Sequence, residues 1–171
     1  MVVMADKSVP TSDHIRDIIS FVEASPTSYH AVVELTRRLE QAGFQRLEET
    51  ESWPSVEGRR YVVRDGAVIA WITPEKVTPQ LGARIVGSHT DSPSFKLKPN
   101  ATVTNQGWQQ VGMEVYGGGL LNSWLDRDLG LSGRLVTCDG QAHLVRTGPI
   151  LRISQLAPHL DRTVNDDLKL D

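Results

Sequence analysis

The sequence predicts an α/β fold with a mixed sheet, followed by a β-rich unit. Three observations predict it. Two amphipathic helical stretches lead the chain, at residues 13–24 and 28–42. Two strand-like runs, 59–64 and 67–73, flank Asp65-Gly66, a pair that favours a tight hairpin turn. A short apolar run at 83–86 then ends at Gly87-Ser88, with His89 and Asp91 close behind. That order describes a buried strand delivering its C-terminal end into a site. Helices, hairpin and buried strand together make one mixed α/β layer.

Taken in order, Ser12 is placed to cap a helix starting at Asp13. Ile15, Ile18, Ile19 and Val22 fall at i, i+3, i+4 and i+7, a single apolar stripe, and Ser25-Pro26 ends it. Ser28 is the expected cap of the second helix, with Val32, Leu35, Leu39 and Ala42 on one face. Gly43 stands where a C-terminal cap belongs. His30 reads as a surface or core-edge residue, and 44–47 as a short strand. After the Asp65-Gly66 hairpin and a loop at 74–82, the run 83–88 is the most apolar strand and takes a central place. Beyond Pro93 the character changes. Residues 95–103 and 111–116 read as strands separated by 104–110, and 133–138 and 141–146 as a hairpin around Asp139-Gly140. Lys96 and Lys98, alternating with Phe95 and Leu97, form the solvent face of the first of these strands. The predicted organisation is therefore an α/β part, 1–95, and a β-rich part, 96–171.

The chain has 171 residues, 39% of them apolar. That length suits one domain, or one domain and part of another. A formal charge of −3 supplies no basic field for nucleic acid. Cys138 is the single cysteine, so no intrachain disulfide forms, which favours a reducing compartment. The opening MVVMADKSVPTS lacks a sustained apolar stretch and does not read as a signal peptide. No later segment is apolar enough to span a membrane. The expectation is a cytoplasmic protein whose residues 1–9 fray.

His89 and Asp91 carry the chemistry. In an extended chain, residues two apart project to the same side, so these two point together while Thr90 points away. A metal-ligating imidazole needs a carboxylate or carbonyl to fix its tautomer and hold its ring. His-x-Asp at a strand end supplies both from three residues. The competing reading is a capped turn, with Asp91 bonding local amides before Pro93. Ser88-His89-Asp91 holds the letters of a hydrolytic triad, but neighbours on one strand alternate sides and no G-x-S-x-G elbow is present. Gly117-Gly118-Gly119 lacks the Gly-Lys-Ser/Thr ending of a phosphate loop and reads as a turn or a close approach of backbone. Glu48-Glu49 reads as a solvated loop. Asp126 and Asp128, beside Arg127, read first as an ion-pair network with Arg127 or Arg134.

Three ordered blocks carry a resemblance. They are GSHTDSP at 87–93 with KLKP at 96–99; VYGGG at 115–119 with WLDRDL at 124–129 and Gly133-Arg134; and LAPHLDR at 156–162 with Asn165. Together they resemble the aspartyl aminopeptidases, the M18 family of zinc metallopeptidases. The resemblance runs from about Ile15 to the last residue and covers the N-terminal portion of such an enzyme.

It implies a homo-oligomeric enzyme that releases N-terminal, often acidic, residues from peptides by metal-activated water, with two zinc ions in a complete site. It also implies that an α/β peptidase domain is interrupted, near residue 96, by an inserted β-rich domain used for assembly. His89 would be a zinc ligand and Asp91 its supporting acid. The family's bridging aspartate, paired glutamates, further aspartate and final histidine belong later in such a chain than this sequence reaches, so the metal site is incomplete here. His159 would be either a metal ligand or a catalytic group stabilising the reacting carbonyl in a neighbouring subunit's site. Its place in the β-rich part favours the second role. Asn122 departs from the family pattern, in which a histidine is frequent nearby. The alternative to an enzyme is a non-catalytic folding or assembly module with an incomplete metal site.

Overall fold

Helix α1, Thr11–Ala24, opens the computed structural model, which describes residues 11–53, 57–76, 78 and 81–166. The stretch 1–9, expected to fray, lies outside the described residues. Helix α2 spans Ser28–Gln41, and strands β1 (Gln45–Arg46), β2 (Gly58–Arg64) and β3 (Ala67–Thr73) follow. Then come β4 (Ser94–Asn105), β5 (Trp108–Tyr116), a 3-10 turn at Leu121–Trp124, β6 (Ser132–Val136) and β7 (Ala142–Arg146). The described residues up to Ser92 pack with Ser132–Val145 as one unit, and Pro93–Leu131 packs with those from Arg146 onward as another.

In the first unit, β1 runs parallel and β3 antiparallel to β2, in the order β1-β2-β3. The sheet is mixed, as the sequence predicts. Its core joins Ala31 and Val32 of α2 to Tyr61 and Val62 of β2. Tyr61 is 1% exposed, and its hydroxyl donates to Glu40 Oε1 of α2 at 2.5 Å. Burial, then the neighbouring Glu40 carboxylate, pushes this phenol up to about 12.

Both helix starts differ from the expected caps. Ser12 lies inside the first turn of α1, where its hydroxyl accepts from Arg16 Nη2 at 3.2 Å. The cap of α2 is Thr27, not Ser28. The Thr27 hydroxyl accepts from the His30 amide at 3.4 Å and lies 2.8 Å from His30 Nδ1. The end of α2 is as read. Gly43 takes a φ of +81°, its amide reaches the Glu40 carbonyl at 2.9 Å, and the Phe44 amide reaches the Leu39 carbonyl at 3.0 Å. These two bonds are the Schellman pattern.

The β2–β3 hairpin closes at Asp65-Gly66, with Asp65 in the left-handed region at φ +51°. Gly66 lies so near the start of α2 that a Cβ there would sit 2.7 Å from Ser28 Oγ. Strands β6 and β7 pair as the expected hairpin around Asp139-Gly140. Hydrogen bonds from the Thr137 hydroxyl and then the Gln141 amide hold the Asp139 carboxyl below its ordinary range.

One expected strand is not there. Residues 83–88 pair with no strand among the described residues, and Ile85 and Val86 are 89% and 95% exposed. Apolar composition favours burial, but a strand also needs a neighbouring ladder to satisfy its N–H and C=O groups. The apolar stripe of α1 is likewise exposed, Val22 at 63%. No described helix is long and apolar enough to cross a membrane.

In the second unit, β4 and β5 form an antiparallel ribbon. Gln106 and Gly107, at φ +52° and +80°, close it in the manner of a type I′ turn. The strands therefore extend into 104–110, which the sequence pattern left as a connection. The register shifts between Leu97 and Thr102. Phe95 meets Trp124 edge to face at 5.4 Å. Lys96 is exposed, with Nζ 4.1 Å from the centre of the Tyr116 ring.

Candidate metal centre

His89 and Asp91 lie in the segment after residue 88, outside any helix or strand, and are both exposed. His89 Nδ1 is 2.6 Å from the Asp91 carbonyl oxygen and 3.5 Å from Asp91 Oδ1. A carbonyl oxygen only accepts, so Nδ1 is the nitrogen that carries the proton. In the neutral ring the lone pair then sits on Nε2. That tautomer, fixed by a backbone carbonyl, leaves Nε2 open to a metal. The carboxylate of Asp91 lies farther from the ring than its own carbonyl does.

Thr90 points the other way. Its hydroxyl donates to the Gly66 carbonyl at 2.7 Å. The contacts divide as alternation would have them, His89 with Asp91 and Thr90 with Gly66, even though no ladder forms. Ser88 Oγ donates to the adjacent His89 carbonyl at 3.2 Å and not to the imidazole, so the three residues are no triad. The Thr90 anchor carried no signal in the sequence, because Gly66 is 24 positions away.

The other candidates separate by environment. Glu48 pairs with Arg46 at 2.7 Å, and Glu49 grips Arg64 with both oxygens at 2.7 and 2.9 Å, all on exposed side chains. Asp126 takes φ +52° and accepts the Gln155 amide at 3.3 Å, while Asp128 pairs with Arg152 at 2.8 Å. These carboxylates serve structure, with partners other than the expected Arg127 and Arg134. Arg134 instead binds the Asp65 carboxylate and lies 4.3 Å over the Tyr29 ring. Gly117 takes φ +71°, and a Cβ on it would touch Pro93 at 3.4 Å, a turn with close packing. His159 is exposed on a turn where the Leu160 and Asp161 amides reach the Ala157 carbonyl at 2.8 and 3.0 Å.

Among the described residues, no group of three or more His, Cys, Asp or Glu is placed to hold a metal. In kind, His89 and Asp91 fit zinc, which takes imidazole nitrogen and carboxylate oxygen. The Nε2 lone pair is the observation that supports the fit.

Solved aminopeptidases share this fold. Yeast aminopeptidase 1 (Ape1) superposes with a TM-score of 0.77 at 32% identity, over 84% of this chain and 36% of that one. The mApe1 dodecamer structure gives 0.76 at 32% identity, over 86% and 36%. A probable M18 family aminopeptidase 2 from Streptomyces avermitilis is 54% identical over 160 residues, covering 92% of this chain and 37% of the relative. The family model for aminopeptidase I zinc metalloproteases (M18) matches residues 21–171. The chain belongs to the M18 aminopeptidase family, and spans about 37% of the length of that curated relative.

Proposed function

We propose that this chain forms part of a zinc-dependent aminopeptidase, and that His89 is one of its metal ligands. The observation that carries the reading is the contact between His89 Nδ1 and the Asp91 carbonyl, which leaves Nε2 as the donor. In this reading Asp91 is the acid beside the ligand, its Oδ1 lying 3.5 Å from His89 Nδ1. A bound zinc would supply an activated water at neutral pH. In this reading residues 1–95 start the peptidase domain and 96–171 an inserted assembly domain, with Ser132–Val145 packing back on the first unit. The mApe1 dodecamer supports a homo-oligomer. Preference for acidic N-terminal residues rests on the resemblance of the three sequence blocks, and cytoplasmic location on cysteine usage.

His159 is assigned as a hydrogen-bond donor to the reacting carbonyl of a neighbouring subunit's substrate. A ligand must sit about 2 Å from zinc, whereas an oxyanion donor needs only about 3 Å to the substrate oxygen. An exposed turn suits reaching across an interface.

The test compares two proteins on aspartyl and glutamyl arylamides with zinc, cobalt or manganese. The 171-residue chain should be inactive, since it lacks most of the ligand set that the family resemblance requires. A longer protein carrying this segment should turn over. There, His89→Ala should lose both metal and activity, and His159→Ala should lose rate at full metal content. Activity in the short chain that disappears in His89→Ala would show that the ligands present suffice. Loss of a metal equivalent in His159→Ala would make that residue a ligand.

A further inference from the structure

Residues 81–92 run without a ladder, and every one of them is exposed except Thr90. Thr90 is also bonded, through its hydroxyl, to the Gly66 carbonyl in the β2–β3 turn. We propose that Thr90 is a positioning residue, whose bond to Gly66 sets the direction in which His89 and Asp91 face. The proposal rests on the reading of His89 as a metal ligand.

The anchor is well chosen for the task. The turn continues the β2–β3 ladder, which pairs Arg64 with Ala67 across it. The Asp65 carboxylate is held by Arg134 of β6. On the α2 side, Ser28 packs so close to Gly66 that no side chain would fit there. A carbonyl fixed from three directions is a stable reference point for a segment with no strand neighbours. In an extended chain, holding residue 90 toward the turn turns 89 and 91 to the opposite side together. The contact between His89 Nδ1 and the Asp91 carbonyl then fixes the ring within that frame. Threonine suits the task better than serine, because branching at Cβ restricts its side-chain rotamers and holds the hydroxyl in place. Ser88, another hydroxyl nearby, donates to its own neighbour's carbonyl.

The experiment uses the 171-residue chain with cobalt(II) alone as the probe. Calorimetric titration reports cobalt binding, paramagnetic shifts of the His89 ring protons locate it, and NMR order parameters of amides 89–91 without metal report the tether. Thr90→Val keeps the shape and removes the hydroxyl. It should weaken cobalt binding about tenfold, the lower end for loss of an outer-shell partner, and lower the order parameters of amides 89–91. Thr90→Ser restores a hydroxyl and should recover most of both. Cobalt binding and order parameters unchanged in Thr90→Val would overturn the positioning role while leaving His89 a ligand. Cobalt bound equally well by His89→Ala would overturn the ligand reading, and the positioning role with it.

Discussion

Glu34 sits nearly buried on α2 and stays charged. Arg37 grips both its oxygens, at 2.7 and 2.6 Å, and Arg38 Nε adds a bond at 2.7 Å. The hydrogen bonds from Arg37, then those from Arg38, pull its carboxyl from 4.5 down to about 2, against burial, which pushes it up. A depressed carboxyl contributes stability that is fully present above the unfolded value and lost as pH falls through the folded one. Glu34→Gln should therefore cost about 2 kcal/mol at pH 7, in the range for hydrogen bonds to charged groups. The gap between parent and variant should close as pH falls from about 4.5 toward about 2. Urea unfolding at pH 7 and pH 3 measures it, and a gap of constant size would assign the loss to packing instead.

At the scale of elements, turns are where sequence and structure agree best. Gly43→Ala should cost about 1 kcal/mol, the penalty for an L side chain in the left-handed region. The nearest atom to the added methyl, Arg59 Nη1, stays at 3.8 Å, so backbone and not crowding sets that cost. Unfolding midpoints check it, and an unchanged midpoint would show that the cap tolerates the strain. Segment 83–88 should exchange its amides quickly while Tyr61 and Val62 exchange slowly. Slow exchange at Ile85 and Val86 would reveal a ladder partner. The end of α2 and the two Asp-Gly hairpins were legible because the requirement for positive φ is local and written in one or two residues. Gln106-Gly107 was not, since glutamine is an unusual occupant of that conformation. The run 83–88 misled for a different reason. Its apolar pattern states a preference for burial and says nothing of who supplies the cover. That His89 and Asp91 share a side follows from alternation, but the carbonyl as the holder of Nδ1 depends on a local backbone path that no residue type announces. The hold of Arg134 on Asp65 spans 69 positions and leaves no local trace.

For the molecule as a whole, the mixed sheet was readable from the order of its elements, while which residues form the exposed apolar faces was not. Ile15, Ile18 and Ile19 on α1, with Ile85 and Val86, present large side chains to water. Unpaired backbone beside apolar side chains invites pairing with another chain. The chain should associate with rising concentration in light scattering, and Val86→Lys should reduce that association by placing a charge on the open segment. A monomer whose mass is independent of concentration would refute this.

Arg38 ties α1 to α2. Its Nη1 meets Asp17 Oδ2 at 2.8 Å, and its guanidinium lies 5.2 Å from the Phe21 ring centre. An isolated helix of this length is marginal in water, and α1 buries little to compensate. The helix is thus a detachable arm, held by a charge that salt can screen. Trypsin should cut at Arg16 before it cuts within β2, and sooner in 1 M salt than in about 0.05 M. The remaining sheet should survive the loss, because Tyr61 keeps its partner on α2.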